Sequence, residues 1–277
     1  MQNSASATAL SAAAARAAHL LVDAEPHIFA DTLAAPLLGS RSAELIDHHR
    51  RHGAHPVLAG ARTQATIRSR LTETLLTGFG QYVILGAGLD SFAYRSPLAA
   101  GIHVFEVDHP ATQADKRERL ATAGLSPLGP LIHVPVDLEK ESFLPALLAA
   151  GLDPARPALV SWLGVTMYLT PDATAPTVAA LATLAPGSRL VLDYLLPPAL
   201  RDQPGQAYAD AVASFSAAQG EPWLSYFTPA EMTALLATHG FHDIHHLDQT
   251  QALPPQLWRR GDALHPSRLS MLAHAKR

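Results

Sequence analysis

Gly86 and Gly88 stand two residues apart in the stretch VILGAGLDS (83–91), and Asp90 follows two positions later. Three apolar residues, Val83 to Leu85, run straight into the glycines. This is the pattern of a buried strand ending in a turn where the backbone comes close to a ligand. In an open α/β sheet, ligands bind outside the carboxyl ends of the strands. An acidic residue roughly 20 positions on then accepts hydrogen bonds from ribose hydroxyls. Asp108, closing the apolar run IHVFEVD, stands at that spacing, and Glu106 shares its face. Position 91 is serine where a dinucleotide fingerprint has its third glycine. Nicotinamide dinucleotides and S-adenosylmethionine both satisfy this geometry. Asp90 favours the second, because a carboxylate suits a sulfonium or an ammonium better than a pyrophosphate. Asp137, ending the run HVPVD, favours it too, as an acceptor for an adenine amino group.

The elements that must position these residues follow from periodicity. The first eighty residues read as helices: an alanine-rich segment with Leu10, Ala14, Ala17 and Leu21 on one stripe, then ELIDHHRRHG and ARTQATIRSRLTETLL. From QYVILGAG onward, short apolar runs alternate with helical stretches. IHVFEVD, LIHVPVD, PALVSW and SRLVLDYLL are the further strands, which predicts a mostly parallel sheet covered on both faces. FTPAEMTALLATHG reads as a helix capped by Thr228, with Pro229 first inside and Glu231 completing a capping box. HDIHHLDQT and RLSMLAHAK read as a last antiparallel strand pair, a third feature favouring S-adenosylmethionine. We read residues 1–80 as an N-terminal helical cap and 81–277 as the cofactor-binding core. Residues 197–226 are an insertion after strand five that serves as a lid, and the whole forms one structural unit.

Composition excludes several classes. The chain has 277 residues, 48% of them hydrophobic, which suits a packed domain. Its formal net charge of -4 offers no basic field for nucleic acid. With no cysteine there is no disulfide and no thiolate nucleophile, as in a cytoplasmic protein. No apolar run reaches the ~20 residues of a membrane span. The partner expected is therefore a small molecule, with no nucleic acid and no membrane. The oligomeric state stays open, a homodimer included.

Taken together, VILGAGLDSFAYR, VFEVDHP, VPVDL, GVTMYLTP and FTPAEMTALLATHGF resemble the leucine carboxyl methyltransferase-like family of S-adenosylmethionine-dependent enzymes. TALSAAAARAAH and ARTQATIRSRL also resemble family segments. The resemblance covers about residues 8–245, and the family includes a protein phosphatase methyltransferase and bacterial enzymes of secondary metabolism. It implies a seven-stranded, doubly wound, Rossmann-like α/β sheet with an antiparallel last strand. It implies that Gly86 and Gly88 underlie the methionine part of S-adenosylmethionine, with Asp90 adding negative charge. Asp108 would hold the ribose, and Asp137 with Leu138 the adenine. Arg62 would pair with the cofactor carboxylate, and Arg16 would help to close the N-terminal cap over it. The family's carboxyl methyltransferases place a glutamate five residues before the tyrosine of MYL. Here that cofactor-side position is Leu163, which points to a distinct subgroup.

Methyl transfer to a carboxylate needs no base, whereas a phenol, amine or indole benefits from one. Tyr168, Tyr194 and His109 are the candidate catalytic side chains, with Tyr226, His19 and His27 behind them. A packing role with a paired hydroxyl competes for each tyrosine. Trp162, Trp223 and Tyr226 are candidate substrate contacts. His242, His245 and His246 lack a carboxylate at metal-ligand spacing, so no metal is expected. The reading is an S-adenosylmethionine-dependent methyltransferase for a small natural-product-like acceptor, with O-methylation favoured by family association. C- or N-methylation of an indole-type or other aromatic metabolite is the alternative. An NAD(P)-dependent oxidoreductase is a further one, although no Tyr-x-x-x-Lys pair supports it.

Overall fold

The computed structural model describes residues 6–138 and 140–277. It opens with α1 (Ala7–Val22), the single turn α2 (Ala34–Leu37), α3 (Ser42–His52) and α4 (Pro56–Leu75). Ser6 caps α1 by accepting from the Ala9 amide at 3.0 Å, which satisfies one amide the helix leaves unpaired. Ala13, Ala14, Ala17 and Ala18 are buried, and these small side chains let α1 lie close against α3 and α4. α4 starts on Pro56, whose missing N–H costs nothing at the first helical position.

Strands and helices then alternate. They are β1 (Gln81–Leu85), α5 (Phe92–Arg95), β2 (His103–Asp108), α6 (Pro110–Thr122), β3 (Leu131–Pro135) and α7 (Phe143–Ala149). β4 (Leu159–Trp162), α8 (Pro171–Leu181), β5 (Arg189–Leu195), α9 (Gln203–Ala218), α10 (Pro229–Thr238), β6 (His242–Leu247) and β7 (Ser270–Lys276) complete the chain. The described strands form one sheet in the order β3-β2-β1-β4-β5-β7-β6. β1 to β5 pair in parallel, and β7 runs antiparallel between β5 and β6. This is the doubly wound sheet with an antiparallel last strand that the family resemblance implies, and it contains the mostly parallel strands and the antiparallel final pair that the periodicity predicts. Every residue of β1 is buried, as a strand with helices on both faces requires.

The strand order reverses between β1 and β4, and a crevice opens at their carboxyl ends. Thr228 and Glu231 form the expected capping box of α10. β6 carries a register shift between His242 and His245, with Asp243 at φ 49°. The shift interrupts the alternation that would put His242 and His246 on one face. His245 bonds Asp243 at 2.8 Å and stacks on His274, while His246 lies between the hydroxyls of Tyr194 and Thr233, each at 2.8 Å. Among the described residues no three His, Asp or Glu side chains converge to hold a metal ion, and no helix is long and apolar enough to cross a membrane.

Candidate functional site

The turn after β1 is built around glycine. Gly86 has φ 68° and Gly88 φ 46°, both in the left-handed region that L side chains rarely adopt. The amides of Gly86 and Ala87 donate to the Val107 carbonyl at 2.8 and 3.2 Å, which ties the turn to the end of β2. A Cβ on Gly86 would come within 2.3 Å of Val165 Cγ2. Below the turn, Asp108 accepts from the Gly88 amide at 2.5 Å and from the His109 amide at 2.6 Å. Burial pushes its carboxyl up, and these two donors pull against that. Asp90 accepts from the Phe92 amide at 2.7 Å, which starts α5 and fixes its carboxylate beside the turn.

The turn forms the floor of a cleft of about 1290 Å³. Gly86, Gly88, Asp90, Asp108, Asp137 and Leu138 line it, together with Leu163, Arg16, Tyr168 and Trp223. α1 closes the side above the glycines, where Ala9 Cβ stands 3.2 Å from the position a Cβ on Gly88 would take. Arg16 on α1 donates to Asp31 and to the Leu89 carbonyl, each at 2.7 Å. Asp31 also accepts from Ser91 Oγ at 2.7 Å, so one carboxylate links α1 to the glycine turn. Burial alone would raise the Asp31 carboxyl, yet the Arg16 charge and the Ser91 hydroxyl hold it below its usual range. At the opposite wall α9 contributes Tyr208, Val212, Phe215 and Ser216.

Five of the candidate residues lie elsewhere. Arg62 is buried inside the helical layer, where it makes a two-pronged pair with Asp23 at 2.7 and 2.9 Å and also donates to the Gly53 carbonyl. The Asp23 carboxylate takes the guanidinium fork that the cofactor carboxylate was expected to fill. Trp162 and Tyr194 point into the main core, because both faces of β4 and β5 are covered. The Tyr194 hydroxyl is spent on His246. Tyr226 stands outside the cleft under Arg201, whose guanidinium lies 5.2 Å from the ring centre. His19 is likewise spent, on Asp23 and the Ile28 amide. His109 does line the cleft, but as the N-cap of α6, with its ring 4.0 Å from Asp137. That places it at the Asp108 and Asp137 end, away from the aromatic wall.

Other residues of the site were missed. Arg68 on α4 lines the cleft and pairs with Asp193 at 3.2 Å, and Asp193 also accepts from the Gly164 amide at 2.6 Å. A Cβ on Gly164, at φ 70°, would strike the Arg68 guanidinium at 2.6 Å. The signal was the aspartate inside the apolar run RLVLDYLL, since a buried carboxylate must find a partner. Tyr208 and Phe215 gave no local signal, because a helical aromatic reads the same whether it faces a core or a cleft.

Residues 9–182 match the model of the leucine carboxyl methyltransferase family. "Putative S-adenosyl-L-methionine-dependent methyltransferase YktD" of Bacillus subtilis is 38% identical over 64% of this chain and 59% of that protein. A similarly named protein of Mycolicibacterium smegmatis is 31% identical over 85% of this chain and 80% of that one. Against several of the curated relatives it matches, the chain spans about half their length. A crystal structure titled as a putative methyltransferase from Thermobifida fusca superposes with a TM-score of 0.57 at 22% identity, covering 87% of this chain and 92% of that one. It supports the fold.

Proposed function

The chain belongs to the leucine carboxyl methyltransferase family, and from that premise we propose that it transfers a methyl group from S-adenosylmethionine to a small, natural-product-like acceptor, most readily at oxygen. The carrying observation is the juxtaposition of the Gly86–Gly88 turn, the Asp108 carboxylate beneath it and an aromatic wall across the same cleft. The residues present fit the cofactor. Left-handed glycines leave a cradle that side chains would fill. Asp108 and Asp137 offer acceptors for ribose and adenine, with Leu138 beside the ring. Arg16, fixed by Asp31, offers a cation for the carboxylate end. The cleft of about 1290 Å³ exceeds the ~1,000 Å³ upper range of a single ligand site, leaving room for an acceptor beside the donor.

Bound there, S-adenosylmethionine supplies an electrophilic methyl carbon on a sulfonium leaving group. The work left to the chain is to align the acceptor and exclude water. Tyr168 serves the first task. Its phenol is pushed up by burial and by the nearby Glu221 charge, with the polar side chains of Ser216, Trp223 and Thr8 acting against that. It stays protonated at neutral pH and orients the acceptor by donating a hydrogen bond. α9 and residues 220–224 serve the second task, as the lid.

Calorimetric titration with S-adenosylhomocysteine, NAD and NADP tests the reading. Binding of the first alone is expected, and binding of a nicotinamide cofactor instead overturns it. A mass shift on phenol, carboxylate and indole acceptors then locates the methylated atom, with oxygen expected.

A further inference from the structure

The acceptor half of the cleft is lined by a glutamate, one of whose carboxylate oxygens has no hydrogen-bond partner among the described residues. Tyr168, Tyr208, Phe215 and Trp223 line this half, and Phe215 is 56% exposed. A large ring left to water inside a concavity marks a binding surface. Glu221 lines the same wall. Its Oε2 is shielded from solvent and has no hydrogen-bond partner among the described residues. An unmet buried acceptor costs roughly 1–3 kcal/mol, and more when it is charged, so it calls for an explanation.

Glu221 is held in place. Its amide donates to the Ser216 carbonyl at 3.0 Å, and its own carbonyl accepts from Ser216 Oγ at 2.5 Å. Three residues on, the Leu224 amide donates to the Met167 carbonyl at 2.7 Å, and Ser225 Oγ donates to the Thr166 carbonyl at 2.8 Å. The strap 221–225 therefore bridges the end of α9 to the turn carrying Tyr168. Other charges lining the cleft are partnered: Arg68 with Asp193, Arg16 with Asp31, Asp137 with Lys140, and Asp108 with two amides.

We propose that Glu221 and the rings around it form an acceptor subsite for an arylalkylamine, the ammonium meeting the Glu221 carboxylate and the ring lying among Tyr208, Phe215 and Trp223. Aromatic faces attract a cation, and the Glu221 carboxylate, with one oxygen lacking a partner, completes its recognition. A carboxylate acceptor entering the same wall meets like charge. The inference rests on the methyltransferase reading and narrows it to a substrate class.

Tryptamine and indole-3-propionate share a ring and differ in the sign of their charge. Each is titrated into the full chain saturated with S-adenosylhomocysteine. Tryptamine is expected to bind at least about tenfold more tightly. Glu221→Gln should bring the two within about twofold of each other, and Glu221→Lys should invert the preference, with S-adenosylhomocysteine affinity unchanged in both. Equal binding by the unaltered chain, no binding of either probe, or a preference that survives Glu221→Gln overturns the subsite. Failure of S-adenosylhomocysteine to bind strikes the methyltransferase reading instead. The two indoles are then titrated into the free protein and judged by the same criteria.

Discussion

Two regions of this molecule bury charge, and they bury it differently. In the helical layer each charge is spent on another. Arg62 is shared among Asp23, His49 and the Gly53 carbonyl, and Asp23 also bonds His19. In the cleft below, charges are held in position but still line an open volume. Arg16 is fixed by Asp31 and the Leu89 carbonyl yet faces the cavity, and Asp108 is fixed by two amides yet faces it too. Residue type does not separate the two cases, since both use arginine and aspartate. What separates them is whether the partnered charge still borders an open volume.

The strongest way to break that contrast is Arg62→Ala. It leaves Asp23 buried with its guanidinium partner gone and only His19 beside it, which should cost about 3–5 kcal/mol in urea unfolding. Burial alone would raise the Asp23 carboxyl, but His19 and Arg62 hold it below its usual range, and the variant gives up the Arg62 share. The folded fraction should bind S-adenosylhomocysteine as before. A large loss of affinity at unchanged stability would return Arg62 to the site.

Gly88→Leu tests the other side. The position is left-handed, and the new side chain starts against Ala9 of α1. Affinity for S-adenosylhomocysteine should fall at least about 100-fold, or about 2.7 kcal/mol, with the circular dichroism of the fold retained. Unchanged affinity would remove the turn from the site.

The same contrast explains what the sequence could tell. The glycine turn and the spacing to Asp108 were legible because strand, turn and next strand end are one local unit. Arg62 sat in a convincing motif, but its true partner, Asp23, is 39 residues away. Trp162 and Tyr194 lie on strands whose faces are both covered, so alternation could not say which face met the crevice. The wall of α9 and the strap 221–225 is assembled by long-range contact, and nothing local distinguishes it. Strands and helices were read well because their periods are local, whereas saturation of a charge is not.

A titration separates the regions without disrupting either. Burial and the neighbouring Arg62 charge lower His49 from 6.5 to about 4. Above pH 6.5 the ring is neutral folded and unfolded, so its contribution to stability is whole. As pH falls from 6.5 toward 4 only the unfolded chain takes the proton, and stability is lost. The loss should be about 2 kcal/mol by pH 4, allowing for relaxation around the ring. His133, lowered to about 4 mainly by burial, adds its own loss over the same window. His49→Asn, which keeps an acceptor for Arg62, should flatten the pH slope of unfolding by the His49 share only. An unaltered slope would mean that His49 is not buried as described.

The smallest effect lies at the seam between the regions. Gly60 on α4 faces Tyr208 on α9, and a Cβ there would stand 2.8 Å from Tyr208 Cδ2 and 3.1 Å from Cε2. Its backbone is ordinary helix, so the glycine is needed for space and not for its dihedral angles. Gly60→Ala gains about 1 kcal/mol of helix propensity. It loses a comparable amount to overpacking, typically about 1–3 kcal/mol. Global stability should therefore move little, while the Tyr208 ring is pushed toward the cleft. The acceptor KM should rise about fivefold, near 1 kcal/mol, with S-adenosylhomocysteine affinity unchanged. If KM holds and only stability falls, Tyr208 belongs to the packed layer, and the boundary of the acceptor wall must be redrawn at Phe215 and Trp223.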